Sequence, residues 1–279
     1  MKIDSPLKVI YVMSLGHSGS TLLDMILSSN SKVIGLGEVR NTLLRAREAQ
    51  NACTCTASWE TCPVWSTVIA NQRTSGPSAR KSGFNLLIDQ VQSQFSAITH
   101  LVDSSKTKAG LGGWKAQKNI DIRILFLFKD VRSFLASWSA RSKKPDKREK
   151  DGLRGLILHR PSALVFRWYK YNRRMLSYLE TTGVNFLPVS YEQLCFEPEH
   201  VLEKICAFTS LQYEGSMLQL ESHTAHILRG NTMRFDPDRN RSIKYDSRWL
   251  MMPTMHNILS VPALRFNSYL HLLAREASV

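Results

Sequence analysis

Residues Lys8 to Met13 form a continuous apolar run rich in β-branched and aromatic side chains. A small polar segment follows at once, Ser14 to Ser20, with glycines at 16 and 19. Then Thr21 to Ser28 carries Leu22, Leu23, Ile26 and Leu27 at helical spacing. A strand apolar on both faces must be covered on both faces, which happens in parallel sheets flanked by helices. Strand, tight turn and helix in direct succession therefore restrict the chain to an α/β architecture.

The same alternation continues. Val33 to Leu36, Thr99 to Asp103, Arg123 to Phe128 and Asn185 to Ser190 read as further strands. Asn41 to Gln50, Phe84 to Ile98, Val131 to Ala140, Ser162 to Glu180 and Pro198 to Thr209 read as helices. Asn257 to Ala274 reads as a terminal helix broken at Pro262. The expected fold is a single α/β domain over 1–279, with a central, mainly parallel sheet flanked by helices. Residues 52–83 and 141–160 are expected to be loop or lid insertions. Arg73 to Gly83 has the composition of a linker. In an open sheet of this kind ligands bind beyond the carboxyl ends of the strands. The loops after Met13, Asp103 and Phe128 are thus the places to look for chemistry.

Charge narrows the ligand class. The 37 Lys and Arg against 23 Asp and Glu give a formal net charge of +14. Such a chain attracts nucleotides, phosphorylated or sulfated molecules, nucleic acid or an anionic surface. With 22% charged residues, close to ordinary globular usage, wholesale disorder is not expected. No secretory signal is visible, and no apolar run approaches a membrane span, so a cytoplasmic location is expected.

The loop Ser14–Thr21 has the composition to wrap a phosphate in backbone N–H groups at a helix N-terminus. It lacks the lysine that nucleoside-triphosphate loops place before their Ser or Thr. Arg123 to Arg132 is a strand running into a helix, with Lys129, Arg132 and, one turn on, Ser137. Two cations and a hydroxyl at such a junction suit a dianionic phosphate; the alternative is a solvated helix start, with Asp130 as its cap and the cations exposed.

These segments resemble sulfotransferases that use 3′-phosphoadenosine 5′-phosphosulfate (PAPS), in the bacterial and carbohydrate-acting branches. His17-Ser18-Gly19-Ser20-Thr21 is similar to the family's 5′-phosphosulfate loop, with histidine where the family has Lys or Arg. Lys129-Asp130-Val131-Arg132 with Ser137 is similar to its 3′-phosphate motif, with Lys for the usual first Arg. Leu101 to Lys106, Ser190 to Leu194 with Glu197-Pro198, and His226 to Asn231 through Arg234 resemble three further family segments. The resemblance covers about Lys8 to Trp249. It implies a P-loop-like nucleotide-binding core, and it makes 231–279 a nucleotide-covering loop followed by a C-terminal helix. The nucleotide contacts it implies are His17, Ser18, Gly19, Ser20, Thr21, Lys129, Arg132, Ser137, Tyr191, Arg229, Gly230 and Asn231.

The implied reaction moves a sulfuryl group from PAPS to a hydroxyl of a small-molecule, carbohydrate or lipid acceptor. Lys106 and His17 would neutralise the departing phosphate. Glu38, in Gly35-Leu-Gly-Glu-Val39, is the first choice for the base, with His226 and His17 as competitors. A phosphotransferase with an atypical loop and a basic nucleic-acid-binding protein are the alternatives; no recognised nucleic-acid motif appears. No metal is expected. Cys53, Cys55 and Cys62 fit a zinc site, a redox pair or a packed loop, but no fourth ligand stands near them. A similar cysteine-rich insert in bacterial-type sulfotransferases implies a lid or acceptor-site loop. Cys195 and Cys206 read as core thiols.

Overall fold

The computed structural model describes residues 6–48, 52–74, 80–142, 160–220, 225–236, 242–252 and 259–277. Five strands form one sheet: β1 (Leu7–Ser14), β2 (Val33–Gly35), β3 (His100–Asp103), β4 (Ile120–Phe128) and β5 (Phe186–Ser190). Their order is β2-β3-β1-β4-β5, and the sheet is parallel. β3 pairs with β1 in the register Lys8↔His100 to Tyr11↔Asp103, and with β2 in the register Val33↔His100 to Gly35↔Val102. The chain thus leaves β1 toward one side of the sheet and later returns to the other. That reversal beside the first strand is the topological switch point of an open α/β sheet.

The strand sequences explain the layering. Val9 to Met13 and Leu125 to Phe128 are fully buried, as a sheet covered on both faces requires. Helix α1 (Ser20–Leu27) is buried along its whole length, including its one charged residue, Asp24. Between β2 and β3 run α2 (Val39–Leu44), α3 (Ser66–Thr74) and α4 (Arg80–Gln94). α5 (Lys108–Lys115) precedes β4, and α6 (Val131–Ser142) and α7 (Pro161–Thr181) follow it. After β5 come α8 (Tyr191–Phe196), α9 (Pro198–Thr209) and α10 (Val261–Glu276).

Three local expectations change. The stretch 73–83 is helical at both described ends: α3 runs to Thr74 and α4 begins at Arg80, while 75–79 lie outside the described residues. α5 is not expected from a sequence with three glycines; Thr107 caps it by accepting from the Gly110 N–H. Pro262 does not break the last helix but stands in its first turn, where its missing N–H costs nothing. Most of the expected loop or lid insertion at 141–160 lies outside the described residues.

The chain divides into two compact units. The first holds 1–13, 20–125 and 202–243; the second holds 14–19, 126–201 and 244–279. Within the first, β1, β3 and β2 are adjacent, and Gly35 bridges to Ala225 beyond the β2 edge. Within the second, α10 packs on β5, and α6 packs on α7.

Candidate active site

In the second unit, the loop Ser14–Gly19 turns on two left-handed residues, His17 (φ 72°) and Gly19 (φ 95°), which flank Ser18. Alternation of this kind turns successive N–H groups inward into an anion-binding concavity. The Ser18 N–H bonds the Leu15 carbonyl at 3.2 Å, and Tyr171 donates to the Ser14 carbonyl at 2.9 Å. The hydroxyls of Ser14 and Ser18 are buried without a hydrogen-bond partner among the described residues. Such groups cost roughly 1–3 kcal/mol each and are rare outside functional loops. His17 does not stand out into solvent as a lone cation: its ring meets Trp138 edge-on at 5.0 Å, and Arg167 lies over that same indole at 4.4 Å.

Gly19 has no room for a side chain. A Cβ there would stand on the edge of the Tyr191 ring, 3.0 Å from Cε2 and closer still to Cδ2. The ammonium of Lys129 sits 4.0 Å over that same ring. Tyr191 opens α8 directly after β5, and its hydroxyl accepts from the Asp246 N–H at 3.1 Å. One aromatic side chain therefore touches both loops that the sequence singles out for phosphate.

Lys129 is the last residue but one before α6 and is only 3% exposed. Its carbonyl accepts from Trp168 at 2.8 Å, and its ammonium faces Asp246 at 3.6 Å. Burial pulls the Lys129 pKa down, against the pull of Asp246 and Glu192. Asp130 caps α6 through the Arg132 N–H at 2.8 Å and takes two further bonds from the Arg132 guanidinium at 2.9 and 2.7 Å. Asn267 adds one at 2.9 Å. Despite burial, these donors hold the Asp130 carboxyl far below the usual range. Arg132 is half-exposed and stacks over Trp249 at 4.8 Å. Both expected cations thus already have carboxylate partners. Ser137 lies a turn further along α6 and is half-buried.

In the first unit, Glu38 follows β2 and opens α2. Its carboxylate pairs with the Lys106 ammonium and accepts from the Asn41 amide. Burial raises the Glu38 pKa, but Lys106, Asn41 and Arg234 together pull it below the usual carboxylate range. Its backbone is fixed from several sides. The Gly37 N–H bonds Asp24 at 3.1 Å, and Val39 N–H bonds Asp103 at 3.3 Å. Arg40 N–H bonds the Ser105 hydroxyl at 2.9 Å, and Glu38 N–H reaches the Arg229 carbonyl at 3.3 Å. Gly37 has φ 65°, and a Cβ there would meet Ile227 at 2.6 Å and the Arg229 carbonyl at 2.8 Å. The tight passage thus brings the 227–229 segment against the base candidate.

Asp24 and Asp103, to which the sequence assigns no role, are the two buried carboxylates behind this turn. Burial drives Asp24 up to about 7, against hydrogen bonds from Ser104 and Gly37. Burial drives Asp103 to about 6, against Ser105, Trp114 and Val39. The signal available for Asp24 is the single charged residue amid the apolar stretch Leu22–Leu27.

Thr21 and Gly230 approach each other: a Cβ on Gly230 would lie 3.8 Å from the Thr21 hydroxyl. Ser20 and Thr21 are buried in the first turn of α1. Arg229 bonds the Arg45 carbonyl at 3.0 Å, and Asn231 caps a short turn through the Met233 N–H at 3.1 Å. His226 faces the cysteine loop. It is 7% exposed, and its Nδ1 lies 3.3 Å from the Cys62 sulfur.

No family model and no curated protein matches this chain. Solved structures do. The sulfotransferase domain from the Synechococcus PCC 7002 olefin synthase superposes with a TM-score of 0.53 at 14% identity, covering 97% of each chain. The sulfotransferase domain from the curacin biosynthetic pathway gives 0.51 at 16% identity, covering 96% of this chain and 99% of that one. The chain has the fold of these sulfotransferase domains along nearly its whole length. Among the described residues, no helix is long and apolar enough to cross a membrane.

Proposed function

We propose that this protein is a sulfotransferase that moves a sulfuryl group from PAPS to a hydroxyl of a small-molecule, carbohydrate or lipid acceptor, releasing 3′-phosphoadenosine 5′-phosphate (PAP). The observation that carries the reading is the shared contact of Gly19 and Lys129 on Tyr191. It joins the loop similar to a 5′-phosphosulfate site to the junction similar to a 3′-phosphate site. A nucleotide bearing phosphates at both ends is the ligand that two such adjoining sites would select.

In this reading the turn at His17–Gly19, with Ser20 and Thr21 at the start of α1, takes the 5′-phosphosulfate on N–H and hydroxyl groups. Lys129, Arg132 and Ser137 take the 3′-phosphate. Because both cations have acidic partners, the phosphate would compete with Asp246 for Lys129 and with Asp130 for Arg132. Arg229, Gly230 and Asn231 belong to the segment that covers the nucleotide.

Sulfuryl transfer needs the acceptor oxygen and the leaving oxygen in line on sulfur, with charge on the leaving oxygen neutralised. Glu38 is ionised at neutral pH and takes the acceptor proton. Its pairing with Lys106 makes it a weak base at rest. When Lys106 turns to the departing phosphate oxygen, Glu38 loses that counter-charge and gains basicity as the acceptor hydroxyl gives up its proton. No step calls for a metal.

Binding tests this directly. PAP should raise Tm, and ATP with Mg²⁺ should not. Labelled PAPS with an acceptor panel should then yield PAP and a sulfated product. Stabilisation by ATP–Mg²⁺ alone would replace the reading by a phosphotransferase.

A further inference from the structure

Cys53, Cys55, Cys62 and His226 place four donor atoms within 4.8 Å of one another. Cys53 and Cys62 are fully buried and His226 nearly so. The sulfurs of Cys53 and Cys62 are 3.7 Å apart, and those of Cys55 and Cys62 are 3.8 Å apart. His226 Nδ1 lies 3.3 Å from the Cys62 sulfur and 3.9 Å from that of Cys53. A tetrahedral zinc with Zn–S of about 2.3 Å and Zn–N of about 2.0–2.1 Å has S···S edges of about 3.8 Å and S···N edges of about 3.5 Å. We infer that these four residues form a structural zinc site of the Cys₃His type.

The surroundings are those of metal thiolates. The backbone N–H of Cys55 bonds the Cys53 sulfur, that of Ala57 bonds Cys55, and those of Val64 and Trp65 bond Cys62. Each sulfur thus receives an N–H from the residue two positions on, a pattern that suits thiolates and orients them. Arg234, 5% exposed, acts electrostatically on both Cys53 and Glu38, so a buried cation stands ready to offset an anionic zinc–thiolate centre. His226 is held through its main chain on both sides, by the partners of its backbone N–H and its backbone carbonyl. Its N–H bonds Gly35 at 2.7 Å, and its carbonyl accepts from Trp65 at 2.5 Å. Thr54 accepts from the Ile227 N–H at 2.9 Å and donates to the Ala225 carbonyl at 2.6 Å.

The sequence hides this site because 164 residues separate Cys62 from its histidine partner. Binding Zn²⁺ releases the three thiol protons to solvent and joins the cysteine loop to the 225–228 segment. That segment continues to Arg229, whose carbonyl holds the Glu38 N–H. The zinc would therefore fix the backbone beside Glu38, at a closed four-ligand site with no position for substrate.

The test is metal analysis of the full chain purified without chelator. About one zinc per chain is expected. After removal of zinc, Co²⁺ should give rise to the intense visible bands of a tetrahedral thiolate complex, which the colourless zinc form lacks. Cys55→Ser, altering the half-exposed ligand, should weaken or shift those bands, and Cys195→Ser should leave them unchanged. PAP binding is read separately, so loss of either result does not decide the other. Less than about a tenth of a zinc per chain after incubation with zinc, with all three thiols reactive, would overturn the site in favour of packed thiols. An intact mass showing a Cys53–Cys62 disulfide in the freshly isolated chain would overturn it in favour of a redox pair.

Discussion

The ring of Tyr191 occupies the space that a side chain on Gly19 would need. Tyr191 is 5% exposed and anchored through its hydroxyl to the 244–246 backbone, so the ring cannot swing away cheaply. Gly19 also has φ 95°, which an L side chain rarely adopts.

Gly19→Ala is expected to lose about 2–4 kcal/mol of stability and at least tenfold in PAP affinity. Adding Tyr191→Leu removes the clash but not the backbone strain, so stability should recover only in part. A double-mutant cycle read by chemical denaturation checks this. Additive losses would mean the two residues do not meet.

The Lys129–Asp246 pair yields a second expectation. Asp246 is held at about 2 although burial opposes it, by Arg248 and Lys129. Asp246→Asn leaves Lys129 buried without its carboxylate, which is expected to cost several kcal/mol. A bound 3′-phosphate would resupply the missing charge. PAP should therefore raise the Tm of Asp246→Asn by more than it raises that of the unaltered chain. Lys129→Met should reduce PAP affinity by roughly ten- to a hundredfold, the value of one charge-assisted bond. Equal Tm shifts in the two proteins would remove Lys129 from the phosphate site.

Stability should fall as pH rises from about 4 to about 7, on account of Asp24 and Asp103. Both carboxyls have folded pKa values, about 7 and about 6, above the ordinary 3.8. In that window the folded chain holds protons that the unfolded chain has released, so raising pH favours unfolding until both groups are ionised. Below about 4 both states are protonated and the effect vanishes. Asp24→Asn should flatten this limb by a few kcal/mol, because each tenfold difference in proton affinity between the folded and unfolded chain is worth about 1.4 kcal/mol. Denaturation midpoints across pH 4 to 8 measure it, and an unaltered slope in the variant would return Asp24 to ordinary ionisation.

How much of this can be read in the sequence depends on the range of the interaction. The strand–turn–helix at 8–28 is legible because its pattern is local: an apolar run, small residues, then a 3.6-residue period. Pro198–Thr209 reads with its observed bounds because proline starts it and its apolar stripe is regular. α5 is hidden because its stability comes from the Thr107 cap and from Gly113 lying against Phe84, which propensity does not register. The partner of Lys129 is illegible for the same reason as the fourth cysteine-cluster ligand, whereas that of Arg132 stands two residues before it. Asp246 lies far along the chain from Lys129, and only the fold closes that distance.

The Glu38–Lys106 pair makes the last prediction. Glu38 sits between burial, which raises its pKa, and the Lys106 ammonium, which with its other donors lowers it further than burial lifts it. If Glu38 is the base, activity should be lost on the acid side as it protonates, with the apparent pKa below the ordinary glutamate value. Lys106→Met removes the largest lowering influence and leaves burial opposed only by Asn41 and Arg234, so the acid limb of kcat/KM should move to higher pH even as the maximum falls. Glu38→Gln should lower kcat by about a hundredfold or more while PAP binding stays within about twofold. The two variants separate a base from a structural acid. A residue that merely holds α2 in place would alter Tm and PAP affinity together and leave the Lys106→Met profile where it was. Near-normal turnover by Glu38→Gln at saturating PAPS would assign the proton to another group.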